Sequence, residues 1–128
     1  MKSDARGPAL LAVLTSVATE KQALDIAHAL IQRRLAACVN IIPGVRSFFR
    51  WKGKIQQDGE LLLLVKTLES NFDAVRGAIR ELNAYELPEI VALPAEKADA
   101  AFAAWVAESS TGPASDEEED ETGEATID

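Results

Sequence analysis

The sequence predicts an α+β fold, an antiparallel sheet with helices on one face, in the order β-α-β-β-α-β followed by a short helix. Three observations carry that expectation. Short apolar runs with β-branched ends alternate with stretches whose apolar residues recur at helical spacing. Residues 38–52 stay extended, with side chains alternating in and out through their second half. The run Leu61–Val65 is wholly apolar, which predicts a strand covered on both faces.

Each element has its own local reason. Residues 1–8 read as a flexible leader and residues 9–16 (ALLAVLTS) as a buried strand. Thr19-Glu20-Lys21-Gln22 is a capping box in which Thr19 caps the Gln22 N–H and Gln22 reaches back. Behind it Ala23, Ile26, Ala27, Leu30 and Ile31 keep helical spacing to Arg34, with Arg33 and Arg34 at the end where the helix dipole favours cations. A strand opens at Cys38 and is bent at Pro43-Gly44, a bulge or edge feature, since proline cannot donate to a ladder. Val45, Ser47, Phe49 and Trp51 then face one way and Arg46, Phe48, Arg50 and Lys52 the other. Lys52-Gly53-Lys54 reverses the chain, and residues 60–67 return it. Ser70 is the expected N-cap of a helix marked by Phe72, Val75, Ile79 and Leu82. Residues 89–93 form a last strand between Pro88 and Pro94, and residues 98–108 a helix with the stripe Phe102, Trp105 and Val106. This order is the ferredoxin-like split βαβ arrangement. The expected organisation is thus a leader (1–8), one domain (9–108) and an acidic disordered tail (109–128).

An extended segment of this length exceeds the usual limit of about ten residues for a strand. Carrying Phe48, Phe49 and Trp51, it would project beyond its own helices, and exposed edges with aromatics call for a partner. Self-association through this ribbon is the expectation.

Composition narrows function. The 128 residues carry a net charge of −8, yet eight of the 21 acids lie between Gly112 and Asp128, where no base occurs. The remainder is neutral, which argues against a strongly basic nucleic-acid-binding domain. The single Cys forbids an intrachain disulfide, and one Cys with one His cannot complete a Cys/His structural zinc site in one chain. No apolar run approaches the roughly 20 residues of a membrane helix. The polar N-terminus has no signal-peptide pattern, so a cytoplasmic protein is expected, with no membrane and no nucleic-acid partner. Glycines are scattered rather than gathered in a phosphate loop, and no nucleophilic motif surrounds His28. Nothing in the sequence argues for an enzyme.

Several blocks resemble the CutA family of divalent-cation tolerance proteins: residues 35–45 (LAACVNIIPGV), residues 51–55 (WKGKI), the Glu60…Lys66-Thr67 strand, residues 85–90 (YELPEI) and Trp105. The resemblance covers about residues 10–107. It implies a homotrimer of ferredoxin-like subunits linked to tolerance of copper or other divalent ions, similar in architecture to the trimeric PII signalling proteins. Two positions depart from the family pattern. Asn83-Ala84 stands where His-Pro is common, and Phe49 where a tyrosine is common. The first removes an imidazole and leaves Cys38 as the soft ligand that carries over.

Candidate sites follow. Cys38 is readable as a copper thiolate ligand or as a small hydrophobe at a strand start, the second reading being favoured. His28 sits on the flank of the first helix, where a solvated or interfacial histidine is the favoured reading over a ligand. Trp51, Lys66, Tyr85 and Glu89 form a candidate ligand cleft for a small anion, or Lys66 and Glu89 an ion pair across a subunit junction. Arg46, Arg50 and Lys52 read as a solvated strip that discourages edge aggregation.

Overall fold

A computed structural model of the chain describes residues 7–112. The expected leader, apart from Gly7 and Pro8, and the acidic segment beyond Gly112 lie outside those residues. Four strands and three helices follow in the order β1 (Leu10–Val17), α1 (Glu20–Gln32), β2 (Cys38–Trp51), β3 (Lys54–Leu68), α2 (Phe72–Leu82), β4 (Val91–Pro94) and α3 (Ala100–Ser109). The strands make one sheet in the spatial order β2-β3-β1-β4, every neighbouring pair antiparallel.

Side-chain parity divides this sheet into two unlike faces. On one, Leu11, Val13 and Val17 of β1 and Leu63 and Val65 of β3 meet Ala23, Ile26 and Leu30 of α1 and Val75, Ala78 and Ile79 of α2, all buried. Among the described residues the other face is covered at one corner, where Ala103 and Val106 of α3 pack on Leu10, with Ala37 and Leu68 beside them. The two-sided cover predicted for Leu61–Val65 is therefore half supplied within the chain: Leu63 and Val65 are buried, Leu62 and Leu64 only partly. Phe102 and Trp105 do not join the buried stripe predicted for the last helix. They stand 40% and 44% exposed, their rings 5.7 Å apart, because the small Ala103 turns the close-packing side of α3 toward Leu10.

Helix ends are closed by local chemistry. Thr19 accepts from the Gln22 N–H at 3.1 Å, the first half of the predicted capping box. The second half does not form, because the Gln22 amide turns to the other helix, donating to the Leu82 carbonyl and accepting from the Ala84 N–H, both at 3.5 Å. The C-terminus of α1 is a Schellman turn. Leu35 N–H donates to Leu30 O at 2.9 Å and Arg34 N–H to Ile31 O at 3.0 Å, and Arg34 takes the left-handed conformation, with φ of 58°. Ser70 does not cap α2. It lies in a 3₁₀ turn, Glu69–Asn71, and the Asn71 amide donates instead to the Ser110 carbonyl at 2.8 Å, tying the residues after α3 to the start of α2. Asp99 caps α3, accepting from the Phe102 N–H at 3.1 Å.

The ribbon is longer than the sequence indicates. β3 begins at Lys54, not Glu60, and pairs with β2 from Trp51↔Lys54 through Val45↔Glu60. The polar stretch Gln56-Gln57-Asp58-Gly59 hides this from a hydrophobicity pattern; pairing across a two-residue turn makes it a strand. That turn has positive φ at both Lys52 (51°) and Gly53 (81°), as a type I′ hairpin requires. The register shifts between Ile42 and Val45, where Pro43-Gly44 forms the predicted bulge. No residue from 45 to 60 belongs to either core cluster.

Core and ribbon differ in what a truncation costs. Leu30→Ala empties a site of zero exposure and is expected to lower unfolding stability by about 2–5 kcal/mol. Ile55→Ala, at a position 70% exposed, is expected to stay within about 0.5 kcal/mol. Denaturant unfolding at fixed protein concentration compares the two.

Candidate functional site: an acidic, aromatic groove

The groove is built from the end of α2 outward. Asn83 follows the helix, its N–H bonded to the Ile79 carbonyl at 2.8 Å, and leaves it in extended conformation. Its buried side chain donates to the Ser16 carbonyl at 3.2 Å and accepts from the Tyr85 N–H at 2.9 Å. One amide thus pins the segment to the end of β1 and aims the next side chain. Tyr85 reaches across to the ribbon, its hydroxyl donating to Glu60 Oε2 at 2.6 Å. Asn83 occupies the position where the resemblance expects a histidine, and here it is a buried structural amide.

Between the ribbon and residues 85–89 opens a groove of about 910 Å³. Phe49, Trp51 and Tyr85 supply its aromatic walls, and Phe48 borders it by its backbone, its ring leaving β2 on the opposite face. Asp58, Glu60, Glu86 and Glu89 bring carboxylates. The Arg50 side chain leaves β2 on the opposite face, and the Lys52 ammonium lies 5.7 Å from the Trp51 ring centroid. Burial pushes the Tyr85 phenol pKa well above its ordinary value, and the hydrogen bond to Glu60 with the negative charges of Glu60 and Asp58 raises it further. Tyr85 is therefore a neutral donor throughout the physiological range. The arrangement can hold a cationic or hydrogen-bonding ligand against aromatic faces.

Of the four residues singled out for a cleft, Trp51, Tyr85 and Glu89 come together here and Lys66 does not. Lys66 pairs with Ala12 and Cys38, six residues along β3 from Glu60, or about 20 Å at strand rise. Its ammonium lies 5.9 Å from the Phe102 ring centroid, and it makes no ion pair with Glu89 within the chain. Cys38 is free and partly exposed rather than fully buried, its Sγ 4.0 Å from Asn40 Oδ1. His28 is exposed on α1. Among the described residues no three His, Cys, Asp or Glu side chains gather closely enough to hold a metal ion. Sequence reasoning missed Asp58, Glu60 and Asn83 as site residues. The available signal was Glu60 itself, a carboxylate at the mouth of an apolar strand run.

A profile of the CutA1 divalent ion tolerance protein matches residues 11–109. The chain belongs to this family. A CutA relative in Thermus thermophilus, a divalent-cation tolerance protein, is 46% identical over 96 residues, covering 75% of this chain and 93% of that protein. Human protein CutA is 41% identical over 95 residues, covering 74% of this chain and 53% of its own length, so the chain spans about half of that relative. The fold is likewise similar to solved CutA structures. The one from Thermus thermophilus superposes with a TM-score of 0.78 at 44% identity, covering 79% of this chain and 98% of that one. CutA1 from Oryza sativa gives 0.78 at 35% identity, over 80% and 94%.

Tyr85 is the single tyrosine of this CutA chain, so its ionisation can be followed by tyrosinate absorbance. The midpoint is expected above that of a free tyrosine, near 10, and Glu60→Gln should bring it down partway, since burial remains. A phenol whose folded pKa is raised stabilises the fold fully below about pH 10 and loses that contribution as pH climbs toward the folded value. Tyr85→Phe should therefore flatten the alkaline limb of a stability–pH profile. A midpoint at or below 10 would contradict the geometry.

Proposed function

We propose that this chain is the ferredoxin-like subunit of a homotrimeric, non-enzymatic protein of divalent-ion tolerance that engages copper weakly through Cys38. The observation that carries the assembly is the open sheet face. Leu14 lies between Leu64 and Val91, and Ile42 beside Leu62, while Ile42, Val91 and Leu93 are 42–49% exposed. A contiguous apolar face of this kind marks an interface. The sheet also ends in two unlike edges, β2 and β4. Unlike edges support a head-to-tail contact that closes into a ring, and the family resemblance supports three copies.

Copper is argued from chemistry. A soft thiolate suits Cu(I), and Cys38 shares the open face with Lys66 and Ala12. Among the described residues it has no companion ligands, so threefold symmetry would have to gather them. Charge does not favour the alternative of a PII-like sensor for a small anion, since Asp58, Glu60, Glu86 and Glu89 all line the groove. A cytoplasmic location is part of this proposal and does not follow from the family: the rice relative is named chloroplastic and a solved Archaeoglobus fulgidus relative periplasmic. Among the described residues no helix is long and apolar enough to cross a membrane.

Two measurements test the reading. Native mass spectrometry at micromolar concentration should show a trimer, and Leu64→Asp should yield smaller species; monomer or dimer alone for the unmodified chain would overturn the assembly. Cu(I) affinity, measured under reducing conditions against a competing chelator, should fall in Cys38→Ser, and equal affinities would remove Cys38 from the site.

A further inference from the structure

We propose that the groove between the ribbon and residues 85–89 binds a linear alkylamine carrying two or more ammonium groups. The argument begins with charge. Asp58, Glu60, Glu86 and Glu89 line the groove, against the Lys52 ammonium over Trp51. The Arg50 side chain lies on the opposite face of β2, so an anion would meet net repulsion and a cation net attraction. A metal ion would need several oxygen ligands converging within about 2.0–2.6 Å of one point. The carboxylates do not converge: no three potential ligands form a cluster among the described residues. Acids spread along an open trough of about 910 Å³ suit a cation whose own charges are spaced along a chain.

The walls select the rest of that ligand. Methylene stems pack on aromatic faces while their ammonium ends reach carboxylates, and an ammonium over an aromatic face is itself attracted. Trp51 already takes such a group, since the Lys52 ammonium lies 5.7 Å from its ring centroid. Tyr85, held by Glu60 at 2.6 Å, presents a neutral ring and adds no opposing charge. Glu86 and Glu89 are exposed, and among the described residues no ion pair ties either to another side chain, which leaves both available to a ligand. Neither Cys38 nor Lys66 lines the groove, so this inference stands whether or not copper binds.

Calorimetric titration of spermidine, a linear triamine, into the full-length protein at low salt tests the proposal. A saturable site is expected, one per chain. Glu89→Gln, which alters only an exposed carboxylate, should weaken it about threefold, and Glu60→Gln with Glu89→Gln about tenfold. Lys52→Asn, a residue that also suits the left-handed turn position, should tighten it by removing the ammonium that covers the Trp51 ring. A variant with Trp105→Phe leaves Trp51 as the sole tryptophan, and its fluorescence should change along the same isotherm; the calorimetric arms do not depend on that variant. The acidic segment beyond Gly112 is identical in all of these proteins, so amine bound there gives the same affinity in each. Affinity unchanged by the double Glu→Gln substitution would overturn the proposal. So would equal displacement of spermidine by magnesium and by sodium at matched ionic strength when compared with the double variant, since that would report diffuse attraction and no groove.

Discussion

Two central strands with apolar side chains on both faces constrain everything else in this subunit. β1 and β3 pair over their whole common length, Leu10↔Leu68 to Val17↔Leu61. Their alternate residues therefore build two hydrophobic surfaces, while α1 and α2 are enough to bury one. Sheet geometry makes this unavoidable, because successive side chains leave a strand in opposite directions. The covered surface becomes the core, closed by Ile26, Leu30, Val75 and Ile79. The remaining one, with α3 over a single corner, is the physical motive for self-association.

A second dependence runs through Asn83. Its amide joins the end of α2 to the end of β1 and orients Tyr85 toward Glu60. Two bonds from one small side chain, with the Tyr85 hydroxyl bond to Glu60, thus connect the helical layer to the ribbon residues 45–60, which belong to neither core cluster. Losing one partner would leave the others unsatisfied, which costs more than the bond itself contributes. Asn83 is accordingly part of the frame of the groove.

Groove and open face are neighbours. Ser16 lines the groove and pairs with Leu62 of the open face, so a ligand in one lies at the rim of the other. The two surfaces differ in chemistry: the face is aliphatic, and the groove is aromatic and acidic. Apolar area supports association with another such surface, whereas spaced carboxylates beside aromatic rings support a cation. Lys66, placed on the face under Phe102, takes no part in the groove.

Elements with a strong hydrophobic period were legible in the sequence. α1, α2 and the inner half of β3 follow from the spacing of Ile26, Leu30, Val75, Ile79, Leu63 and Val65, since each must bury its apolar side whatever the partner. Pro43-Gly44 and Lys52-Gly53 were legible too, because proline and glycine act through local backbone rules. The outer half of β3 was not, since Gln56, Gln57, Asp58 and Gly59 have no period and become a strand only by pairing with β2. Ser70 was chosen as a cap on residue type, but the Asn71 amide is held by Ser110, distant in sequence. Trp51, Tyr85 and Glu89 belong together by chain geometry, and Lys66 does not, although its residue type fitted the expected cleft equally well. The sequence by itself determined which segments are helical or extended, because side-chain period and backbone preference are local. Only the tertiary structure decided which sheet face is covered, which cap forms and which charges share a groove. Those depend on strand register and on contacts between residues far apart along the chain.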